Sequence, residues 1–109
     1  MSPLNITHDR TATTYVLHLA GELDHTHATT LRRQVEQLAL RPGQRLVLDL
    51  ARLEFCDSTG ITALLAARQH AQAADADITL ASVPAHTLRV FRIIGLDQVF
   101  HLQADANAP

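Results

Sequence analysis

From about residue 24 to residue 102, short apolar runs alternate with stretches of helical spacing. A chain patterned this way is confined to one sheet whose strands are joined by helical crossovers. The apolar run Leu46 to Leu50 carries a single charge, Asp49, and is too short for a helix, so it predicts a buried strand. Ile78 to Val83 predicts a second strand, and Val99 to Leu102 a last short one. Between them, Ile61, Leu64, Leu65 and the alanines at 63, 66, 67 and 71 predict a helix from Ser58 that fades around Asp75 to Asp77. Another helix is expected after Pro84, with Leu88, Phe91 and Ile94 inside and Gly95 as its stop.

The first twenty residues alternate instead, with Leu4, Ile6 and His8, then Tyr15, Leu17 and Leu19, separated by polar residues from Asp9 to Thr13. That pattern predicts a hairpin. After Gly21, Asp24 is placed to cap a helix with Ala28, Leu31, Val35 and Leu38 on its apolar face, ended by Pro42 and Gly43. The expected architecture is α/β, a mixed and mostly parallel sheet of about five strands with helices packed on it and right-handed crossovers. The 109 residues read as one domain, with a core at about 4–102 and a frayed tail at 103–109.

Composition removes several kinds of chemistry. All nine basic residues are Arg, and the absence of Lys takes away Schiff-base chemistry, Walker-type phosphate binding and the phosphorelay receiver site. A net charge of −2 and an aromatic content of 4% argue against a nucleic-acid surface. Leu and Ala, at 17 each, must fill most of the core. No run approaches the ~18 apolar residues of a membrane span, and one Cys allows no internal disulfide, so a cytoplasmic protein is expected. A serine-hydrolase elbow needs Gly two residues before the nucleophile, where this chain has Cys56. Cys56 itself lacks an adjacent His or a following basic loop and reads as a small buried hydrophobe. His25 and His27 read as loop residues rather than a metal pair, and Arg32 and Arg33 as a solvated helix face.

The most informative segment is Leu46 to Gly60, LVLDLARLEFCDSTG, running into the aliphatic helix. It resembles the STAS domain, specifically the free-standing bacterial anti-sigma factor antagonists, in which a strand ending in Asp, Ser, Ser or Thr, and Gly leads into such a helix. Asp57, Ser58, Thr59 and Gly60 match position by position. Gly21-Glu22-Leu23-Asp24, Ala81-Ser82-Val83 and the stretch Val90 to Phe100 agree in order, so the resemblance covers roughly residues 4 to 102. It departs at Thr59, where Ser is commoner, and at Ile61-Thr62, where an aliphatic residue and Gly are usual.

The resemblance implies a non-enzymatic protein that binds an anti-sigma factor, often an ATP-dependent serine kinase, and so frees a sigma factor. Phosphorylation at Ser58 would abolish binding and a serine phosphatase would restore it. No cofactor, direct nucleic-acid contact or membrane insertion is implied, and a monomer or weak dimer is expected. The implied partner-facing or phosphosite-flanking residues are Asp24, Asp57, Thr59, Gly60, Ile61 and Leu64. The alternative is a STAS adaptor or scaffold, in a stress-sensing complex or beside a lipid-transport ATPase, with no phosphorylation control.

Elementary chemistry makes the switch reasonable. A phosphate at a helix start meets free backbone N–H groups and the positive end of the helix dipole, while adding about −1.5 to −2 charges beside Asp57. Ser58 and Asp57 each have a plainer reading as the helix N-cap, and Thr59 is a second candidate acceptor. Gly60 would permit close approach of a backbone or a partner. Asp24 is expected near Ser58, because loops at the carboxyl ends of adjacent parallel strands cluster on one edge.

Overall fold

The computed structural model describes residues 3–105. The strands are β1 (Asn5–Arg10), β2 (Thr14–Leu23), β3 (Arg45–Cys56), β4 (Asp77–Ala81) and β5 (His101–Gln103), and the helices are α1 (Ala28–Glu36), α2 (Ser58–Ala73) and α3 (Ala85–Ile94). A short 3-10 helix, Leu96–Gln98, separates α3 from β5. The sheet order is β1-β2-β3-β4-β5, antiparallel at the first pair and parallel at the others. This is the expected mixed sheet.

The strand order advances one way across the sheet. Crossovers of one hand that all step in the same direction must lie on the same side, so all three helices share one face. Burial follows this division. On β2, Tyr15, Leu17, Leu19 and Leu23 are buried, while the alternate residues Val16, His18 and Ala20 are only half-buried. Leu46, Leu48 and Leu50 of β3 and Leu80 of β4 join them under Leu31, Val35, Leu64 and Phe91. Each such side chain taken from water contributes about 1.5–3 kcal/mol, which holds the helices on the sheet.

Several elements differ from the sequence expectation. The hairpin turn is shorter than expected: β1 runs to Arg10, and the Thr11 hydroxyl accepts from the N–H of Thr13 and of Thr14. His8 is exposed and bonds Gln34 instead of joining the apolar row. Helix α1 begins at Ala28 and stops at Glu36, well before Pro42, because Leu38 and Leu40 reach the core from the loop and the Leu38 carbonyl accepts from His70. Strand β3 continues six residues past Leu50, pairing with β2 along its whole length through two register shifts.

The C-terminal third shows the same kind of difference. In α3 the buried residues are Thr87 and Phe91, whereas Ile94 faces outward. Gly95 does end that helix, at φ 84°, the left-handed conformation that lacks a side-chain penalty in glycine. Strand β5 is displaced to His101–Gln103, since the 3-10 turn takes up residues 96–98. Gln103, expected to fray, accepts from the Ser82 N–H, and the Ala104 carbonyl accepts from the Ser82 hydroxyl. The rest of the expected tail, 106–109, lies outside the described residues.

On the helix-free face one histidine ties three strands. His18 of β2 meets Asp49 of β3 through Nδ1 at 2.6 Å and Asp9 of β1 through Nε2 at 2.7 Å. A neutral imidazole has only one N–H, so a ring with a carboxylate at each nitrogen is held as the cation. The Asp49 hydrogen bond, opposed by burial and aided by Asp9, raises the His18 pKa above its ordinary 6.5. The stabilisation is therefore full below about pH 6.5 and fades as pH rises through the higher folded value. Urea melts at pH 6 and pH 9 should show wild type losing more stability than His18→Gln, by under about 1 kcal/mol because the ring is partly solvated. Equal losses would remove the clamp.

Candidate functional site

The parallel pairing of β2 with β3 brings their carboxyl ends together, with Leu23 in register with Cys56. The loop after β2 and the start of α2 consequently share one edge. Asp57, in extended backbone, is the N-cap of α2: its Oδ1 accepts from the Gly60 N–H at 2.9 Å, and its carbonyl accepts from the Ile61 N–H at 3.0 Å. Its Oδ2 accepts from the His25 N–H at 3.2 Å, joining the neighbouring loop to the helix. The Asp57 N–H donates to the Leu23 carbonyl at 3.3 Å.

With Asp57 as the cap, the cap reading of Ser58 is set aside. Ser58 is the first helical residue and is exposed; its hydroxyl makes no hydrogen bond among the described residues. Its carbonyl accepts from the Thr62 hydroxyl at 3.0 Å, an internal helix contact. Thr59 is exposed in the first turn. Asp57→Ala should cost about 1–2 kcal/mol in a urea melt, at the high end for a cap because it also frees the His25 loop. An unchanged midpoint would contradict the cap.

Asp24 stands on the same edge but does not cap α1. Its Oδ1 accepts from the N–H groups of Thr26 and His27, each at 3.1 Å, and meets His27 Nδ1 at 2.8 Å. These bonds close a turn over residues 24–27, and only then does α1 begin. Desolvation pushes the Asp24 carboxyl up, but the hydrogen bonds and charge of His27 and the Thr26 N–H outweigh it and hold the group below the usual carboxylate value. The Asp24 carboxylate makes no hydrogen bond to Ser58. The two residues are linked through the His25–Asp57 contact instead. The only sequence signal for the Asp24–His27 contact is the Asp-x-x-His spacing.

Beneath this edge the packing is tight. A Cβ built on Gly60 would lie 2.2 Å from the Leu23 carbonyl oxygen and 2.9 Å from Cys56 Sγ, so the close approach is to the protein's own β2 backbone. Ile61 is half-buried, whereas Leu64 has 0% exposure. Leu64 therefore supports the helix from the core and is no contact surface, which corrects its assignment as a partner-facing residue. Its truncation would cost about 2–5 kcal/mol through the cavity left behind. Cys56 is half-buried, and burial, helped by the Asp57 charge, pushes its thiol up to about 12. A thiol held protonated this way is a poor nucleophile, in keeping with its reading as a packing residue.

Among the described residues no cluster of three His, Cys, Asp or Glu side chains could hold a metal ion, and no helix is long and apolar enough to cross a membrane. The family model of the Mlab, STAS domain matches residues 6–103. The chain belongs to the STAS domain family. Proteins similar to it include the anti-sigma-B factor antagonist of Listeria monocytogenes, 24% identical over 87 residues that cover 80% of this chain and 76% of that protein. Two solved structures share the fold. An anti-sigma factor antagonist from Mycobacterium paratuberculosis aligns at a TM-score of 0.78 and 22% identity, covering 95% of this chain and 88% of that one. The Bacillus cell fate determinant SpoIIAA in its phosphorylated form aligns at 0.71 and 23%, covering 94% and 93%.

Proposed function

We propose that this STAS protein is an anti-sigma factor antagonist: it binds an anti-sigma factor through the edge formed by Asp24, Asp57, Ser58, Thr59 and Ile61, releases the sigma factor, and is switched off by phosphorylation of Ser58. The observation that carries the reading is the division of labour between Asp57 and Ser58. Asp57 takes the capping bond, so the exposed Ser58 hydroxyl has no part in holding the fold and is available to an incoming kinase. A relative with the same fold exists in a phosphorylated form.

The phosphate would sit in the first turn of α2, where the positive end of the helix stabilises it, so the modified chain stays folded. It would also add its charge beside Asp57 and Asp24, turning a surface matched to a bare hydroxyl into an anionic one. Binding is lost without a backbone rearrangement. The phosphoryl donor is the partner kinase's ATP, and a serine phosphatase resets the switch.

Intact-mass analysis of the protein from its source cells across growth conditions tests this, beside Ser58→Ala. A gain of about 80 Da that comes and goes with conditions and is absent in the variant is expected. A chain that never gains it, or that gains it equally in Ser58→Ala, would exclude Ser58 as the switch and favour an adaptor that needs no phosphorylation.

A further inference from the structure

Strand β3 does not keep one register with β2. The paired residues stand 31 positions apart in the chain at Leu17–Leu48 and 33 apart at Leu23–Cys56, and the shifts fall between His18 and Ala20 and between Gly21 and Glu22. Burial along β3 records the same two extra residues. The side chains turned to the core are Leu46, Leu48, Leu50 and Leu53, then half-buried Cys56, spaced two, two, three and three apart, with Ala51-Arg52 and Glu54-Phe55 exposed as pairs. In a continuous register Glu54 would lie opposite Leu23, and Asp57 and Ser58 would overrun the end of β2. With both shifts Cys56 is level with Leu23, and the Asp57 N–H meets the Leu23 carbonyl where α2 starts.

Each shift has a local cause. At the second, β2 bends at Gly21, whose φ of 103° suits glycine. At the first, the device is a side chain on the helix-free face. Asp49 Oδ1 accepts from the Ala51 N–H at 3.1 Å, the two-residue reach of an Asx turn, and so folds the backbone where the extra residue enters. Its Oδ2 meets Nδ1 of His18, the last β2 residue before the shift, at 2.6 Å. Asp9 holds the far side of the ring, and Arg52 lines the same hollow. Both oxygens of Asp49 are therefore engaged at this corner, one with its own backbone and one with the neighbouring strand. Bulges are rare in parallel pairs and recur beside functional sites, where they re-aim the residues that follow.

We propose that His18 and Asp49 are positioning residues for the Ser58 edge: from the opposite face of the sheet they pin the register shift through which β3 brings Cys56 level with Leu23 and starts α2 beside the Asp24 loop. The inference takes from the proposed function only that this edge is the functional one. A one-residue slip sends every later side chain to the other face, so the register has to be fixed before Leu53. When the pin is lost, the segment beyond Asp49 loosens, the Asp57 N–H leaves the Leu23 carbonyl, and the first turn of α2 loses its seat. The half of β3 before the shift, from Arg45 to Leu48, keeps its pairing with β2 and β4.

Residue-resolved amide hydrogen exchange on the full chain, read by NMR, tests this with His18→Ala and Asp49→Ala, which remove the contact from either side so that one suffices if the other does not fold. The amides of residues 53–57 and of Gly60 should exchange at least about tenfold faster than in wild type, while those of residues 45–48 keep their protection. A strut that merely stabilises the fold would speed both groups by one factor, and that result overturns the proposal, as does unaltered exchange at 53–60. His18→Asn supplies the rescue. Its amide nitrogen lies as many bonds from Cβ as Nδ1 of histidine and can donate to Asp49, so exchange at 53–60 should return to within about threefold of wild type. An asparagine variant as loose as His18→Ala would overturn the role given to the Nδ1 contact. The measurement needs neither kinase nor anti-sigma factor: unaltered exchange in a chain phosphorylated at Ser58 removes the positioning role alone, and the expected exchange in a chain never phosphorylated removes the switch alone.

Discussion

Gly60→Ala is expected to lower the stability of this domain by about 3 kcal/mol or more, the upper end of what overpacking costs. In an ordinary exposed helical position the same change would stabilise by about 1 kcal/mol, because alanine is the better helix former. Here the new methyl would stand 2.2 Å from the Leu23 carbonyl oxygen, a backbone atom at the carboxyl end of β2. That oxygen already accepts from the Asp57 N–H, so it cannot withdraw without breaking the junction between β2 and α2. The start of α2 must lift instead, carrying Ser58 away from the Asp24 loop. A urea melt reads the stability directly, and a variant as stable as wild type would mean that the two elements sit farther apart than the structure places them. Against a typical total of about 5–15 kcal/mol, the loss would leave a weakened fold and a displaced edge.

The second large effect is expected at Ser58. Protein phosphorylated there should bind the anti-sigma factor proposed as its partner at least about 100-fold more weakly, equivalent to about 2.7 kcal/mol. Ser58→Ala, which adds neither charge nor bulk, should bind far closer to wild type than the phosphorylated chain does. The phosphate would have to be taken from water into a surface fitted to a bare hydroxyl, and an unpaired buried charge costs several kcal/mol. The melting midpoint of the phosphorylated chain should be unchanged or slightly raised, since the phosphate sits at the positive end of α2. Isothermal titration with a captured partner separates the two quantities. Retained affinity after phosphorylation would sink the switch, and a collapsed melting midpoint would show that binding is lost through unfolding.

Comparing Ser58 with Leu64 shows how far periodicity carries. Both were legible from the sequence as parts of one segment, Asp57 to Leu64, leading into an aliphatic helix. The spacing of Ile61, Leu64 and Leu65 established a buried stripe, but which of them rims the surface depends on how α2 lies over β2 and β3. That arrangement leaves Ile61 half in solvent and Leu64 wholly inside. The competition for the cap was likewise undecidable locally. Asp and Ser are comparable caps, and the extended backbone of Asp57, anchored to Leu23 of the neighbouring strand, selects the aspartate.

On α3 the sequence reading erred for a related reason. Val90, Phe91, Ile93 and Ile94 are a nearly continuous apolar run, and hydrophobicity alone assigned Ile94 to the core. Only a narrow wedge of the helix, at Thr87 and Phe91, meets the sheet. Length was misjudged elsewhere because pairing partners are distant in the chain. The polar second half of β3 looks like loop, and it remains extended since β2 hydrogen-bonds it as far as Cys56.

By itself the sequence determined the order of strands and helices, the parallel character of most of the sheet, the Asp-Ser-Thr-Gly junction and the exclusion of lysine chemistry. These are consequences of short-range spacing and composition, which are complete within a few residues of chain. The tertiary structure alone decided that all helices share one face, that Gly60 presses on Leu23, that Asp57 rather than Ser58 caps α2, and that α3 keeps an apolar stripe in water. Each of those depends on contacts between residues far apart in sequence, and a periodic pattern names the face to be buried without naming what will cover it.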